Sequence, residues 1–507
     1  MSFEDIIGLK LSCSDLPVVC TSGSQIRIFA MIDGENQRFT QIGQTELLTS
    51  RNPSFKDIVP VVFVLEQNQV LKFSLFLGEK EIGSVETGLK ELVMNSPQLY
   101  LPMNSTGDQW DPDDSPLLGI EVEESEQALN GTKIQLKACH LQADEVINAA
   151  PYFTLSRIHS SIEEFPTLLY RSEAMNNTTN PKWTEFVVPT KALTSLTPSV
   201  LEIAVYHFIN NKSEDYLIGK FTITFFQLLN GSLGNKFMLH SQNGKKRENV
   251  YVEVVKFESV PKITTFVGAI RAGLKLHFTV AIDFTANNGG QNEPDSLHFV
   301  HPHYQNFYSQ ALYEMSTKIC QIDKLQRLSL LGFGAKIPPR FEFSPLFSLT
   351  GDLNNSIVRG TDNIMNAYRR TVMSVQPYAP TNYVAPIHHI IKMAKVAKKT
   401  GTKLYFVVII LTNGAIKNSK ESMDMIVSSS HLPISIVFVA IGNEKHPIGA
   451  GDHTRITSFI DPTAKSSENV PLKRQNVIYH EFKTGKPFAG KCLKEVNLQG
   501  TQWLQSN

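Results

Sequence analysis

A run of apolar and β-branched residues from Leu276 to Ile282 ends in Asp283-Phe284-Thr285-Ala286-Asn287-Asn288-Gly289. Such a run suits one buried strand of a parallel sheet covered on both faces. In an open α/β sheet, ligands sit just beyond the carboxyl ends of the strands. Asp283 and Thr285 therefore fall where a hard cation or a polar ligand would bind, since such ions take oxygen donors. Other reactive residue types are not arranged for catalysis. Ser428-Ser429-Ser430-His431 lacks the Gly-x-Ser-x-Gly turn of hydrolases. His388 and His389 are neighbours on a predicted helix, point in different directions and cannot share one metal. No glycine-rich phosphate loop is present. The sequence reads as a protein without enzymatic activity and without a small-molecule substrate.

The elements that must position these residues change character along the chain. Residues 1–127 read as short β-segments, with Ile26–Ile32, Val59–Leu65 and Val70–Leu77 as examples and Asn52-Pro53 and Gly78 as punctuation. Residues 131–257 repeat that theme, with strand candidates at Lys133–Ala138, Tyr152–Ile158, Thr184–Val188, Val200–Tyr206, Phe221–Phe226 and Asn249–Phe257. Asn180-Pro181-Lys182-Trp183 echoes Asn52-Pro53-Ser54-Phe55 about one domain earlier, which suggests an internal duplication. Residues 266–484 alternate apolar strands (Leu276–Ile282, Leu328–Phe333, Leu404–Leu411, Ile434–Ile441) with helical segments, the pattern of βαβ units. One helix is clear. Ile387, Ile390, Ile391, Ala394 and Ala397 make its inner face, Thr381-Asn382 can cap it, and Gly401 stops it. Residues 485–507 form a tail without a strong pattern. The expected fold is two all-β antiparallel sandwiches followed by a doubly wound α/β domain.

Bulk properties narrow the partners. The 507 residues carry 48 Lys+Arg and 48 Asp+Glu, a net charge of zero, so nothing global favours nucleic acid. The five cysteines are scattered and form no CxxC pair, which argues against a zinc module and fits a reducing compartment. No signal-like amino terminus and no membrane-length apolar run is present, so the expected location is cytoplasmic.

The third region carries Val280-Ala281-Ile282-Asp283-Phe284-Thr285-Ala286-Asn287-Asn288-Gly289, Ser296-Leu297-His298-Phe299, Gly332-Phe333-Gly334-Ala335-Lys336-Ile337-Pro338-Pro339, Ala367-Tyr368-Arg369 and Pro380-Thr381-Asn382-Tyr383. With these motifs the whole chain resembles a copine: two C2 domains followed by a von Willebrand factor A-type domain. The resemblance implies calcium-triggered phospholipid binding by the C2 domains, Mg²⁺ at the A-type domain, and recruitment of protein clients there.

The ligand residues transfer incompletely. In the second sandwich Asp144 matches the family's first loop aspartate, but Ala150-Pro151 replaces Asp-Pro, and Tyr206-His207-Phe208-Ile209 replaces Tyr-Asp-x-Asp. Asp215 lies close to the last ligand position. In the first sandwich Ser24-Gln25 and Phe76-Leu77-Gly78 stand where acids are expected, with Glu79 and Glu81 nearby but out of register, and Asp15 reads as a turn residue. At the A-type site the resemblance makes Asp283, Thr285 and Thr381 ligands, Asn287 a replacement for serine, and Asn413 a replacement for the later aspartate. Losing that carboxylate costs affinity; if about 2 kcal/mol of its attraction survives desolvation, the drop exceeds tenfold. Ca²⁺ and Mg²⁺ binding are therefore expected to be weak or lost. Lys245-Lys246-Arg247 is a short basic cluster between predicted strands and a candidate lipid contact. The expected protein is a peripheral membrane adaptor with eroded metal sites, binding phospholipid surfaces weakly and holding protein clients. The alternative is an ordinary calcium-dependent phospholipid-binding copine.

Overall fold

A computed structural model describes residues 4–32, 39–65, 67–95, 98–107, 110, 115–124, 130–141, 150–158, 167–175, 178–193, 200–208, 216–230, 234–241, 246–260, 265–290, 292–301, 303–323, 325–378, 381–414, 419–449, 459–460 and 464–506. By backbone proximity the chain divides into two compact units: Met1–Leu129 with Val267–Ala272, and Asn130–Phe266 with Gly273–Asn507.

In the first unit, apolar alternation builds two antiparallel sheets. One orders Val59–Val64, Glu4–Ser14, Leu117–Glu124 and Gln98–Pro102; the other orders Thr40–Gln44, Ser24–Ile32, Gln69–Leu77, Lys80–Gly88 and Asn104–Ser105. Every second residue points inward, so Leu9, Leu11, Ile26, Ile28, Phe63, Phe73 and Leu75 are buried. In the second unit, eight strands between Gly131 and Val260 form another antiparallel assembly around Trp183, Phe153 and Phe186.

The motif echo is a structural echo. The Asn52 side chain accepts from Asp15 N at 2.8 Å, and Asn180 accepts from His140 N at 2.9 Å. Asp15 and His140 both have left-handed backbone, with φ of 58° and 60°. Pro53 O and Pro181 O accept from Cys13 N and Ala138 N, each at 2.9 Å. Phe55 and Trp183 each donate a backbone N–H to the first strand of their sandwich and fill its core.

The α/β region centres on β1 (Lys275–Asp283), flanked in parallel by β2 (Arg327–Phe333) and β3 (Leu404–Thr412), with β4 (Ile434–Ala440) and β5 (Val477–Glu481) beyond β3. Two short antiparallel strands, Phe347–Ser348 and Ile357–Arg359, pair with β2. Helices cover both faces. Helix α1 (Phe307–Ile322) packs on α2 (Thr361–Ser374) and on α5 (Ala489–Gln505), and α3 (Val384–Lys399) packs on α4 (Ser419–Ser429). Ile387, Ile390, Ile391 and Ala394 of α3 meet Phe406, Val408 and Ile410 of β3. Tyr405, one residue out of phase, meets Phe266 and Trp503 on the opposite face. Among the described residues no helix is long and apolar enough to cross a membrane.

Three expectations are corrected. Phe225 and Phe226 do not extend the preceding strand but begin a short helix, Phe225–Asn230. Lys246 and Arg247 do not lie between strands but open the strand Lys246–Val260; Lys245 is outside the described residues. The tail is not patternless: it carries α5, whose buried stripe is Ala489, Cys492, Leu493, Val496, Gln499 and Gly500. That stripe is weakly apolar, with Ala489 and Gly500 small and Gln499 polar, so its period does not stand out in sequence. Gly500 is needed there, because a Cβ would sit 2.4 Å from the Phe266 ring.

Candidate ligand site at the carboxyl ends of the parallel strands

Asp283 ends β1 at the centre of the sheet and is wholly buried. The pairing of Ile282 with Leu411 places Thr412 of β3 beside it. Oδ1 of Asp283 accepts from Thr285 N (2.9 Å), Thr285 Oγ1 (2.7 Å) and Asn288 Nδ2 (3.2 Å). Oδ2 accepts from Thr412 Oγ1 at 2.6 Å. Thr285 approaches because Gly334, at φ 79°, has no Cβ; one there would lie 2.3 Å from the Thr285 methyl.

Counting protons fixes the direction of the surrounding bonds. The Thr285 hydroxyl gives its proton to Asp283, so Thr381 Oγ1, 3.0 Å away, donates to Thr285. Thr381 in turn accepts from Asn287 Nδ2 at 3.4 Å. On the other side, Tyr383 OH (2.7 Å) and Gly414 N (3.1 Å) donate to Thr412 Oγ1. Two relays of donors thus converge on one carboxylate.

Asn413 faces elsewhere. Its amide nitrogen donates to the carbonyls of Ile441 (3.1 Å), His446 (3.1 Å) and Pro447 (3.4 Å), and Gly449 N donates back to the Asn413 carbonyl. The loop after β4 is thereby drawn over the site, where His446 Nδ1 meets Asn287 O at 3.1 Å. Of the five A-type residues expected from sequence, Asp283, Thr285, Asn287 and Thr381 come together, and the side chain of Asn413 does not join them.

Aromatic and amide residues close the floor. His298 Nε2 donates to the Asp283 carbonyl at 2.7 Å, and its ring stacks between Phe284 and Tyr308. His298 Nδ1 lies 2.9 Å from Tyr368 OH, which also lies 3.1 Å from Asn306 Oδ1. Asn288 Oδ1 accepts from Tyr308 OH at 2.7 Å. Burial pushes the Asp283 carboxyl above the ordinary range, against the opposing pull of Thr412, Thr285 and Asn288. Burial lowers His298 to about 4, although the Asp283 carbonyl works the other way. Thr412, Asn288, His298, Tyr308 and Tyr383 were not singled out as site residues from sequence. Thr412, the hydroxyl that ends its strand just before Asn413-Gly414, is the one its position could have revealed.

The sandwich tips are built differently. In the first, a two-residue turn, Gly78-Glu79, joins the strands Gln69–Leu77 and Lys80–Gly88. Both Glu79 oxygens meet the Arg27 guanidinium, at 3.2 and 3.0 Å, and Glu81 pairs with Lys72 at 3.0 Å. In the second, Ala150, Tyr152, Ala174 and Phe208 form a small buried cluster, with Tyr206 stacked on Tyr152 at 5.3 Å and Arg171 over the Tyr152 ring at 4.2 Å. Asp144 and Asp215 lie outside the described residues. Among the described residues, no three His, Cys, Asp or Glu side chains gather where they could hold a metal ion.

Antiparallel sandwiches followed by a doubly wound sheet with its site at the strand ends define a C2 protein carrying an A-type module. The family model for the copine domain matches residues 296–507 and the C2 domain model matches residues 136–239, a combination that matches a member of the copine family. Among solved structures it is similar to BON1-C2B (21% identity, covering 27% of this chain and 98% of that one, TM-score 0.23). It is also similar to the paired C2 domains of Extended-Synaptotagmin 2 (12% identity, covering 51% of this chain and 92% of that one, TM-score 0.21).

Proposed function

We propose that this chain is a copine-type peripheral membrane adaptor, cytoplasmic and without enzymatic activity, whose attachment does not depend on calcium. Its domains run over 1–127, 131–257 and 266–484, with α5 packed behind the last. The observation that carries this reading is the state of Asp283: both carboxylate oxygens are occupied by the chain's own donors. A divalent ion would need lone pairs of Thr285 and Thr381, and on each hydroxyl one of the two already accepts a proton from a neighbour. An octahedral Mg²⁺ shell wants several anionic or neutral oxygens facing one point. One buried carboxylate, two engaged hydroxyls and an amide turned away do not fit that ion. The A-type domain would then hold protein clients through its loops, without a metal bridge.

The sandwich tips support the same reading. Arg27 and Lys72 hold the acids of the first tip, and an aromatic cluster stands at the Ala150 and Phe208 positions of the second. Copine and C2 domains support a lipid-facing role. The test is vesicle co-sedimentation with calcium and with chelator. Equal pelleting in the two is expected; pelleting that needs calcium would instead favour the ordinary calcium-triggered copine, with Asp144 and Asp215 among its ligands.

A further inference from the structure

The charge balance of the chain hides a local asymmetry. Residues 363–420 carry nine Lys or Arg and no Asp or Glu, in a protein with 48 of each sign. Much of that charge lies on α3. At 100° per residue, His388, Lys392, Lys395, Val396 and Lys399 fall on one stripe, and all five are exposed. Val396 is 55% exposed in the middle of the lysines. The stripe runs into the amino-terminal edge of the sheet. There Lys275 opens β1, Lys403 precedes β3, and Lys473 precedes β5. Burial first, and then Lys398, Lys473 and Lys395 nearby, hold His431, just before β4, below its ordinary range. Among the described residues, none of these lysines has an ion-pair partner. The acid at this edge, Asp323, is taken by Arg327 at 2.9 Å. Asp283 and its loops lie at the opposite, carboxyl end of the same strands.

We propose that this lysine face, α3 with the amino edge of the sheet, docks on anionic phospholipid headgroups, leaving the loops around Asp283 free for a protein client. The inference rests on the membrane reading above and names the surface responsible. Lysines are strongly hydrated point charges on flexible stems, suited to a diffuse layer of headgroups more than to the bidentate phosphate contacts that arginine makes. An exposed valine among them adds apolar contact at an interface. The zero net charge of the chain leaves this face to act locally, within about 10 Å at ordinary salt.

The test uses the full chain, chelator, and vesicles of phosphatidylcholine alone or with phosphatidylserine. Lys395→Glu with Lys399→Glu is compared with Arg369→Glu with Arg370→Glu, which makes the same charge change on α2, across the sheet. Wild type pellets with phosphatidylserine vesicles and not with phosphatidylcholine alone, and high salt releases it. The lysine pair loses affinity by about tenfold or more, the arginine pair by less than about twofold, and Lys395→Arg with Lys399→Arg restores binding, which separates charge from misfolding. Wild-type pelleting that the lysine pair leaves intact would sink this inference and spare the membrane reading. Equal losses in both pairs would point to net charge and overturn the assigned face. Tighter binding to transfer RNA than to vesicles, lost in the lysine pair, would also overturn it. A wild type that pellets with no vesicle, with or without calcium, would sink the membrane reading itself.

Discussion

Thr412 Oγ1 donates to Oδ2 of Asp283 at 2.6 Å, between residues 129 positions apart in sequence. The bond ties β3 to β1 at the centre of the sheet and completes the set of donors around a buried carboxylate. Removing it strands three groups, because Tyr383 OH and Gly414 N also lean on that hydroxyl.

Thr412→Val is therefore expected to destabilise the protein by about 1–3 kcal/mol, the usual result of leaving buried polar groups unpaired. Thr412→Ser, which keeps the hydroxyl, is expected to cost much less. Urea unfolding of the two variants compares them, and equal costs would contradict the role given to the oxygen.

Asn413 must be an amide. Asn413→Asp would turn a carboxylate toward the carbonyls of Ile441, His446 and Pro447. The expected result is a loss of about 1–3 kcal/mol and faster hydrogen exchange in residues 441–449, with no gain in Mg²⁺ affinity. A stable variant that binds Mg²⁺ would reverse this account of the loop.

His298 gives the site a pH dependence with a definite sign. Its folded value, about 4, lies below the ordinary 6.5, so the neutral ring is favoured in the fold. That stability is present above 6.5 and lost as pH falls toward 4. His277 shares the window, with a value of about 4 set first by burial. Asp283 runs the other way: raised in the fold, its penalty grows as pH rises above the ordinary 3.8. The wild type is expected to lose stability between about pH 6.5 and 4, and His298→Gln to lose less over the same interval. Parallel curves for the two proteins would remove His298 from the explanation.

The two sandwiches offer a paired comparison. Asn52→Ala and Asn180→Ala each remove an acceptor from a left-handed residue, Asp15 or His140. Each should cost about 1 kcal/mol, seen as a lowered unfolding midpoint. A cost at one site and none at the other would mean the likeness is of shape without energy.

What sequence could show follows from which interactions are local. The parallel strands were legible because Val407 to Leu411 and Ile434 to Ala440 are buried on both faces and leave almost no polar position. The duplication was legible because one short motif, Asn-Pro and an aromatic, carries the whole turn. The loop residues of the A-type site were visible as types, and Asp283, Thr285 and Thr381 do meet. The direction of Asn413 was not visible, since its partners lie 28 to 34 positions away in a loop without pattern. Thr412 stood in view beside Asn413-Gly414, but its contact with Asp283 depends on the register of β1 and β3, which no local spacing encodes.

The account stands on a carboxylate saturated by its own chain. Calorimetric titration of Mg²⁺ and of Ca²⁺ into the full-length protein tests it most directly. No saturable heat up to about 1 mM of either ion is expected. A stoichiometric site tighter than about 0.1 mM, lost in Thr381→Ala, would contradict it.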